Sequence, residues 1–91
     1  MAERIRREII FHGWVQGVGF RWRACHAADA CGATGWVRND YSGTVTMEVQ
    51  GTEAQIDSVI LAIERGSYIR IDNMETHSIP LVSEERGFHA R

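Results

Sequence analysis

The stretch Asn39-Asp40-Tyr41-Ser42-Gly43-Thr44-Val45-Thr46-Met47-Glu48-Val49-Gln50-Gly51-Thr52-Glu53-Ala54-Gln55 passes from a turn through a strand into a helix. Asn39 to Gly43 is a cluster of the residue types that favour turns. From Thr44 to Gln50 the residues alternate, with Val45, Met47 and Val49 on one face and Thr44, Thr46, Glu48 and Gln50 on the other. A period of two is the mark of a half-buried strand, and the turn before it makes a hairpin with a strand read from about Thr34 to Asn39. Thr52 opens a helix, and Gln55 three residues later completes a capping box. Ile56, Val59, Ile60 and Ile63 supply the apolar stripe of that helix, and Gly66 ends it.

Upstream, Arg4 to His12 carries Ile5, Ile9, Ile10 and Phe11, residue types suited to a strand. Gly13 to Gly19 is glycine-rich and uncharged, and reads as a loop. Phe20, Ala24, Ala27, Ala28 and Cys31 then recur at helical spacing, with Gly32 closing the helix. Downstream, Tyr68 to His77 predicts a fourth strand in which Ile69 and Ile71 are in phase and Met74 falls out of phase across a bulge. The tail after Pro80 adds a short strand around Phe88. The order βαββαβ with right-handed crossovers puts both helices on one face of an antiparallel sheet, an α+β ferredoxin-like sandwich. With 91 residues and no repeat, linker or low-complexity stretch, residues 1–91 are read as one domain.

Composition removes several functions. Hydrophobic residues make up 44% and charged residues 24%, which excludes disordered and fibrous classes. A net charge of −2 argues against a protein built to grip nucleic-acid phosphates. All ten basic residues are arginines, so Schiff-base chemistry and a Walker A loop are excluded. Cys25 and Cys31 point to different faces of one helix and cannot meet as a disulfide. No signal-peptide pattern or membrane-length apolar run is present, so a reduced, soluble, cytoplasmic protein is expected.

Familiar site motifs also fail. The third glycine of a dinucleotide fingerprint is replaced by Trp22, and the Arg of a cysteine-phosphatase loop is replaced by Cys31 or Val37. Cys25, His26 and Cys31 lack zinc spacing, while His12, His77 and His89 stand alone. Arg4, Arg6 and Arg7, interleaved with Glu3 and Glu8, read as a solvated strand face.

The loop before the first helix carries the strongest chemical signal. Gly17 and Gly19 let the backbone approach a ligand, and a run of amides ending at a helix N-terminus is an anion cradle. Arg21 sits in the first helical turn, where a cation opposes the helix dipole unless an anion binds there. On the loop alone, this and a tight glycine turn with a solvated Arg21 are equally good readings. Asn39 by itself is most simply a turn residue, although its amide has both donors and an acceptor for holding a water.

Together the two segments resemble the acylphosphatase family. Gly13-Trp14-Val15-Gln16-Gly17-Val18-Gly19-Phe20-Arg21 matches its pattern G-x-V-Q-G-V-G-F-R. Gly35-Trp36-Val37-Arg38-Asn39, Gly43, Val45 and Gly51 match its second pattern. The resemblance spans essentially the whole chain and agrees with the ferredoxin-like order. It implies hydrolysis of a small-molecule acyl phosphate to carboxylate and phosphate by a monomer, with no metal and no cofactor, and with neither nucleic acid nor membrane as partner. By it, Arg21 binds the phosphoryl group with the amides of Val15, Gln16, Gly17, Val18, Gly19 and Phe20, and Asn39 positions the attacking water. Trp22 and Arg23 depart from the proline-containing continuation of the related hydrogenase maturation domain, which points to a stand-alone enzyme. Gly66 to Ser78 and Arg86-Gly87-Phe88-His89 depart from the family pattern at the edge of the fold. An RNA binder of this topology needs stacking aromatics where Val45, Met47 and Glu48 stand, and a catalytically idle anion-binding module is the other alternative.

Overall fold

The computed structural model describes residues 2–91; Met1, counted in the expected domain span, lies outside the described residues. Seven elements follow one another: β1 (Arg4–Trp14), α1 (Phe20–Cys31), β2 (Thr34–Asn39), β3 (Val45–Thr52), α2 (Glu53–Glu64), β4 (Arg70–Ile79) and β5 (Phe88–Ala90). The strands form one sheet in the order β4-β1-β3-β2-β5. The four expected strands pair antiparallel, as the ferredoxin-like order requires. The short fifth strand pairs parallel to β2, with Gly35 opposite Phe88, so the sheet is mixed rather than purely antiparallel.

Register assigns the faces. Ile9 lies opposite Met47 and Phe11 opposite Val45, while Val37 lies opposite Met47 from the other side. These side chains point to the helices, where Phe20, Ala24 and Ala28 of α1 and Ile56, Val59 and Ile63 of α2 complete a fully buried core. The capping box at Thr52 forms as read: Thr52 Oγ1 accepts from Gln55 N at 3.1 Å, and Thr52 N donates to Gln55 Oε1 at 2.8 Å. Gln55 Nε2 also donates to Cys31 O at 2.7 Å, so one side chain serves the start of α2 and the end of α1. The helix stops at Glu64 with Arg65 as its cap, just before the expected Gly66.

The expected bulge is present opposite β1. His12 pairs with Asn73 and Gly13 with Ile71, which leaves Asp72 as the extra residue. The insertion brings Ile71 and Met74 onto the face shared with Phe11, although Met74 stays exposed on this edge strand.

The outer face of the sheet differs from the expectation of a solvated Arg4, Arg6 and Arg7 cluster and a half-buried β3. Arg6, Thr46 and Gln50 are all buried. Arg6 Nη1 donates to Glu85 Oε1 at 2.7 Å and Nη2 to Glu85 Oε2 at 3.1 Å, while Nε donates to Glu48 Oε1 at 3.0 Å. Gln50 Nε2 donates to Val82 O at 3.0 Å and its Oε1 accepts from Val82 N at 2.9 Å. The segment between β4 and β5 is thus a strap across the polar face, pinned by one ion-pair network and one amide clamp. Burial opposes the Glu85 carboxylate, but the two hydrogen bonds from Arg6 and the Arg6 charge outweigh it and lower its pKa.

Replacing Arg6 leaves two carboxylates facing each other under the strap. Arg6→Met is expected to lower unfolding free energy by about 2–3 kcal/mol near neutral pH. That is less than the full cost of breaking a buried pair, because Glu48 and Glu85 keep 22% and 15% side-chain exposure. A lowered folded pKa stabilises above the ordinary Glu range and is lost as pH falls through the folded value. Urea melts at about pH 7 and about pH 3.5 check this: the gap between wild type and variant should narrow at the acid end.

Candidate active site

Val15 is buried at the end of β1 and fixes the start of the loop to the core. At the other end, Phe20 is buried edge-on against Phe11, with ring centroids 4.9 Å apart. Between these anchors, Gly17 (φ 72°) and Gly19 (φ 79°) adopt left-handed backbone that β-carbon residues resist. A Cβ at either position would meet no protein atom within 4 Å, so the space in front of the loop is open. Gly19 is the N-cap of α1 and supplies no side-chain cap, and the first turn contains no acidic residue. The helix therefore presents its leading amides and the positive end of its dipole to that space.

Arg21 lies in this first turn, exposed, and its Nη1 donates to Arg91 O at 3.2 Å. Arg91 is itself held: its N donates to Val37 O at 2.8 Å, and its guanidinium lies 4.5 Å from the Trp36 ring centroid. The guanidinium of Arg21 is thus tethered to the tail beyond β5 rather than simply solvated.

Asn39 ends β2, opposite Val45. The turn after it is organised by Asp40, a residue the sequence reading passed over. Asp40 Oδ2 accepts from Thr44 Oγ1 at 2.9 Å and Thr46 Oγ1 at 2.6 Å, and Oδ1 accepts from Arg38 Nε at 3.1 Å. Burial disfavours the Asp40 carboxylate, but hydrogen bonds from Thr46, Arg38 and Thr44 and the charge of Arg38 outweigh it and lower its pKa. The signal was available in the Asp40, Thr44 and Thr46 spacing, which suits a side chain that closes its own turn.

Loop and turn are joined by Gln16. Its Nε2 donates to Asp40 O at 2.7 Å and to Thr44 O at 2.9 Å. Its side chain therefore faces the turn. Val15, Gly17, Gly19, Phe20, Arg21, Trp22 and Asn39 line one cavity of about 180 Å³. Arg21, Asn39 and most of the loop are brought together; Gln16 and Val18 belong to the loop but not to this lining. Trp22, which the sequence offers only as a departure from two other motifs, does line it. Arg21 is the sole charged residue of that wall, and no carboxylate or histidine is part of it. Among the described residues no three His, Cys, Asp or Glu side chains group as metal ligands. Chemically, the cavity offers amides and one guanidinium to an anion, and one neutral carboxamide beside it.

Comparisons with known proteins give the family and the fold. The Acylphosphatase family model matches residues 7–90. An acylphosphatase of Geobacillus kaustophilus is 39% identical over 84 residues, covering 91% of this chain and 89% of that protein. One from Bifidobacterium longum is 33% identical over 92 residues, covering 99% of this chain and 95% of its own. The crystal structure of acylphosphatase from Bacillus subtilis superposes with a TM-score of 0.86 at 27% identity, covering 96% of this chain and 98% of that one. With a family model spanning nearly the whole chain, and an open amide loop, Arg21 and Asn39 around one cavity, this chain belongs to the acylphosphatase family.

Proposed function

We propose how this site performs the reaction of its family. The chain hydrolyses the carboxyl–phosphate bond of acyl phosphates to a carboxylate and inorganic phosphate. In the proposed mechanism the amides of Val15 to Phe20 and the Arg21 guanidinium hold the phosphoryl oxygens, and Asn39 orients a water toward phosphorus. The water oxygen bonds to phosphorus as the bond from phosphorus to the carboxyl oxygen breaks. The carboxylate leaves with that electron pair, and the proton of the water passes to the phosphate product or solvent. A mixed anhydride has a good leaving group, so positioning and charge stabilisation suffice, and no tuned general base is called for.

The observation that supports this most is the make-up of the cavity wall, with one cation, open loop glycines and one carboxamide. Burial, and to a lesser degree Asp29, raise the Cys25 pKa against the opposing charge of Arg21. The thiol therefore stays protonated and a poor nucleophile. The two free cysteines fit a reducing, cytoplasmic setting, and the proposal takes the enzyme as a monomer there. No helix among the described residues is long and apolar enough to cross a membrane.

The roles of Arg21 and Asn39 separate in kinetics. Arg21→Ala should raise the inhibition constant of inorganic phosphate at least about tenfold and lower turnover too, since its contacts exist before and during the reaction. Arg21→Lys should also be damaging, because a point charge does not replace a bidentate fork. Asn39→Ala should lower kcat by on the order of 10²–10³ while phosphate inhibition barely moves. Near-normal turnover in Asn39→Ala, or equal loss of phosphate affinity in both alanine variants, contradicts the assignment.

Metal and thiol independence is tested by chelation with EDTA and by the Cys25→Ser, Cys31→Ser double variant. Benzoyl phosphate turnover should stay within about tenfold of wild type in each, a change of roughly 1.4 kcal/mol in the barrier. Gln16→Ala checks the link between loop and turn. It removes the second donor of two carbonyls, Asp40 O still accepting from Gly43 N and Thr44 O from Asp40 N, and should cost about 1–2 kcal/mol of stability in urea melts. Because Asn39 is then less firmly placed, kcat should fall about tenfold.

A further inference from the structure

We infer that Trp22 sets the acyl-group preference of this enzyme, its indole serving as a platform for a flat aromatic acyl group. The inference rests on the active site proposed above and adds to it the class of substrate. Phe20, Ala24 and Ala28 are the buried positions of α1, which turns Trp22 outward with 64% of its surface exposed. Other large aromatics are exposed too, but Trp22 is the one that lines the cavity with Arg21 and Asn39.

Its ring has a neighbour on its own helix. His26, one turn further along α1, stacks on it with centroids 4.2 Å apart and planes 22° from parallel. The imidazole covers part of the indole, and with 64% of Trp22 exposed the remainder is open to a ligand at the cavity it lines. A ring already stacked on one neighbour loses less freedom when a second ring lies against it.

The chemistry of the step indicates which part of the substrate meets it. The phosphoryl group is taken by the loop amides and Arg21, and the water by Asn39. In an in-line displacement the acyl oxygen leaves on the side of phosphorus away from that water. Of the cavity wall, Trp22 is the side chain without another task. The cavity, about 180 Å³, is smaller than pockets of roughly 300 Å³ and more that enclose a drug-sized molecule, so the acyl group lies at its mouth against the indole. Since Arg21 is the only cation of the wall and holds phosphate, a neutral aromatic acyl group fits better than one bearing a second anion.

The test compares benzoyl phosphate with acetyl phosphate. In Trp22→Ala, kcat/KM for benzoyl phosphate should fall about fivefold to tenfold, mainly through KM, the scale of one aromatic contact. The value for acetyl phosphate should stay within about twofold, and Trp22→Phe should restore most of the benzoyl preference. The inhibition constant of inorganic phosphate should be unchanged in both variants. An equal loss for the two substrates, or no loss for either, with phosphate inhibition intact, overturns the role of Trp22 alone. Absence of competitive phosphate inhibition in the wild-type enzyme is a different result, and it overturns the active site on which this inference rests.

Discussion

The side-chain amide of Gln16 is the contact on which the site depends. Its two hydrogen bonds, to the carbonyls of Asp40 and Thr44, join the loop after β1 to the turn after β2. Without them the loop and Asn39 are joined only through the core and the sheet. Phosphoryl transfer with no tuned base relies on placement, and a displacement of about 1 Å between phosphorus and water is costly. The Asp40 carboxylate rigidifies the same turn through Thr44, Thr46 and Arg38, so the carboxamide of Asn39 is carried on a braced element. Both groups sit at the ends of regular structure, which supplies more precision than a free loop.

A second dependence runs through the outer face of the sheet. Arg6, Glu48, Glu85 and Gln50 hold the strap that leads from the β4 edge to β5 on the opposite edge. Beyond β5 the chain reaches Arg91, whose carbonyl accepts from Arg21. The strap on one side of the sheet and the Arg21 guanidinium are thus joined through a single segment.

Much of this was legible from local pattern. The alternation Val45, Met47, Val49, the Thr52 to Gln55 capping box and the phase slip between Ile71 and Met74 each depend on neighbours in sequence, and each appears in the fold. The loop glycines marked the left-handed backbone of the loop for the same reason. Arg6 was misjudged because its partner Glu85 lies 79 residues away, and only the assembled sheet makes that charge buried. Gln50 read as solvent-facing because the strap that meets it belongs to no periodic pattern, and Thr46 because its partner Asp40 lies in a turn. The side chain of Gln16 bonds to backbone carbonyls 24 and 28 residues on, and carbonyls leave no signature in residue type. The parallel pairing of β5 was hidden by its length, since three residues carry too little period to show a direction.

That loop, Arg21 and Asn39 form one anion site is tested most directly by titrating the protein with inorganic phosphate and following its ¹⁵N amide and arginine Nε resonances. The largest shifts should fall on the amides of Val15 to Phe20 and on the Arg21 side chain, with a smaller response at Asn39. Those groups should report one common dissociation constant. Shifts centred elsewhere on the chain, or an Arg21 side chain that does not respond while the loop does, would contradict the assignment.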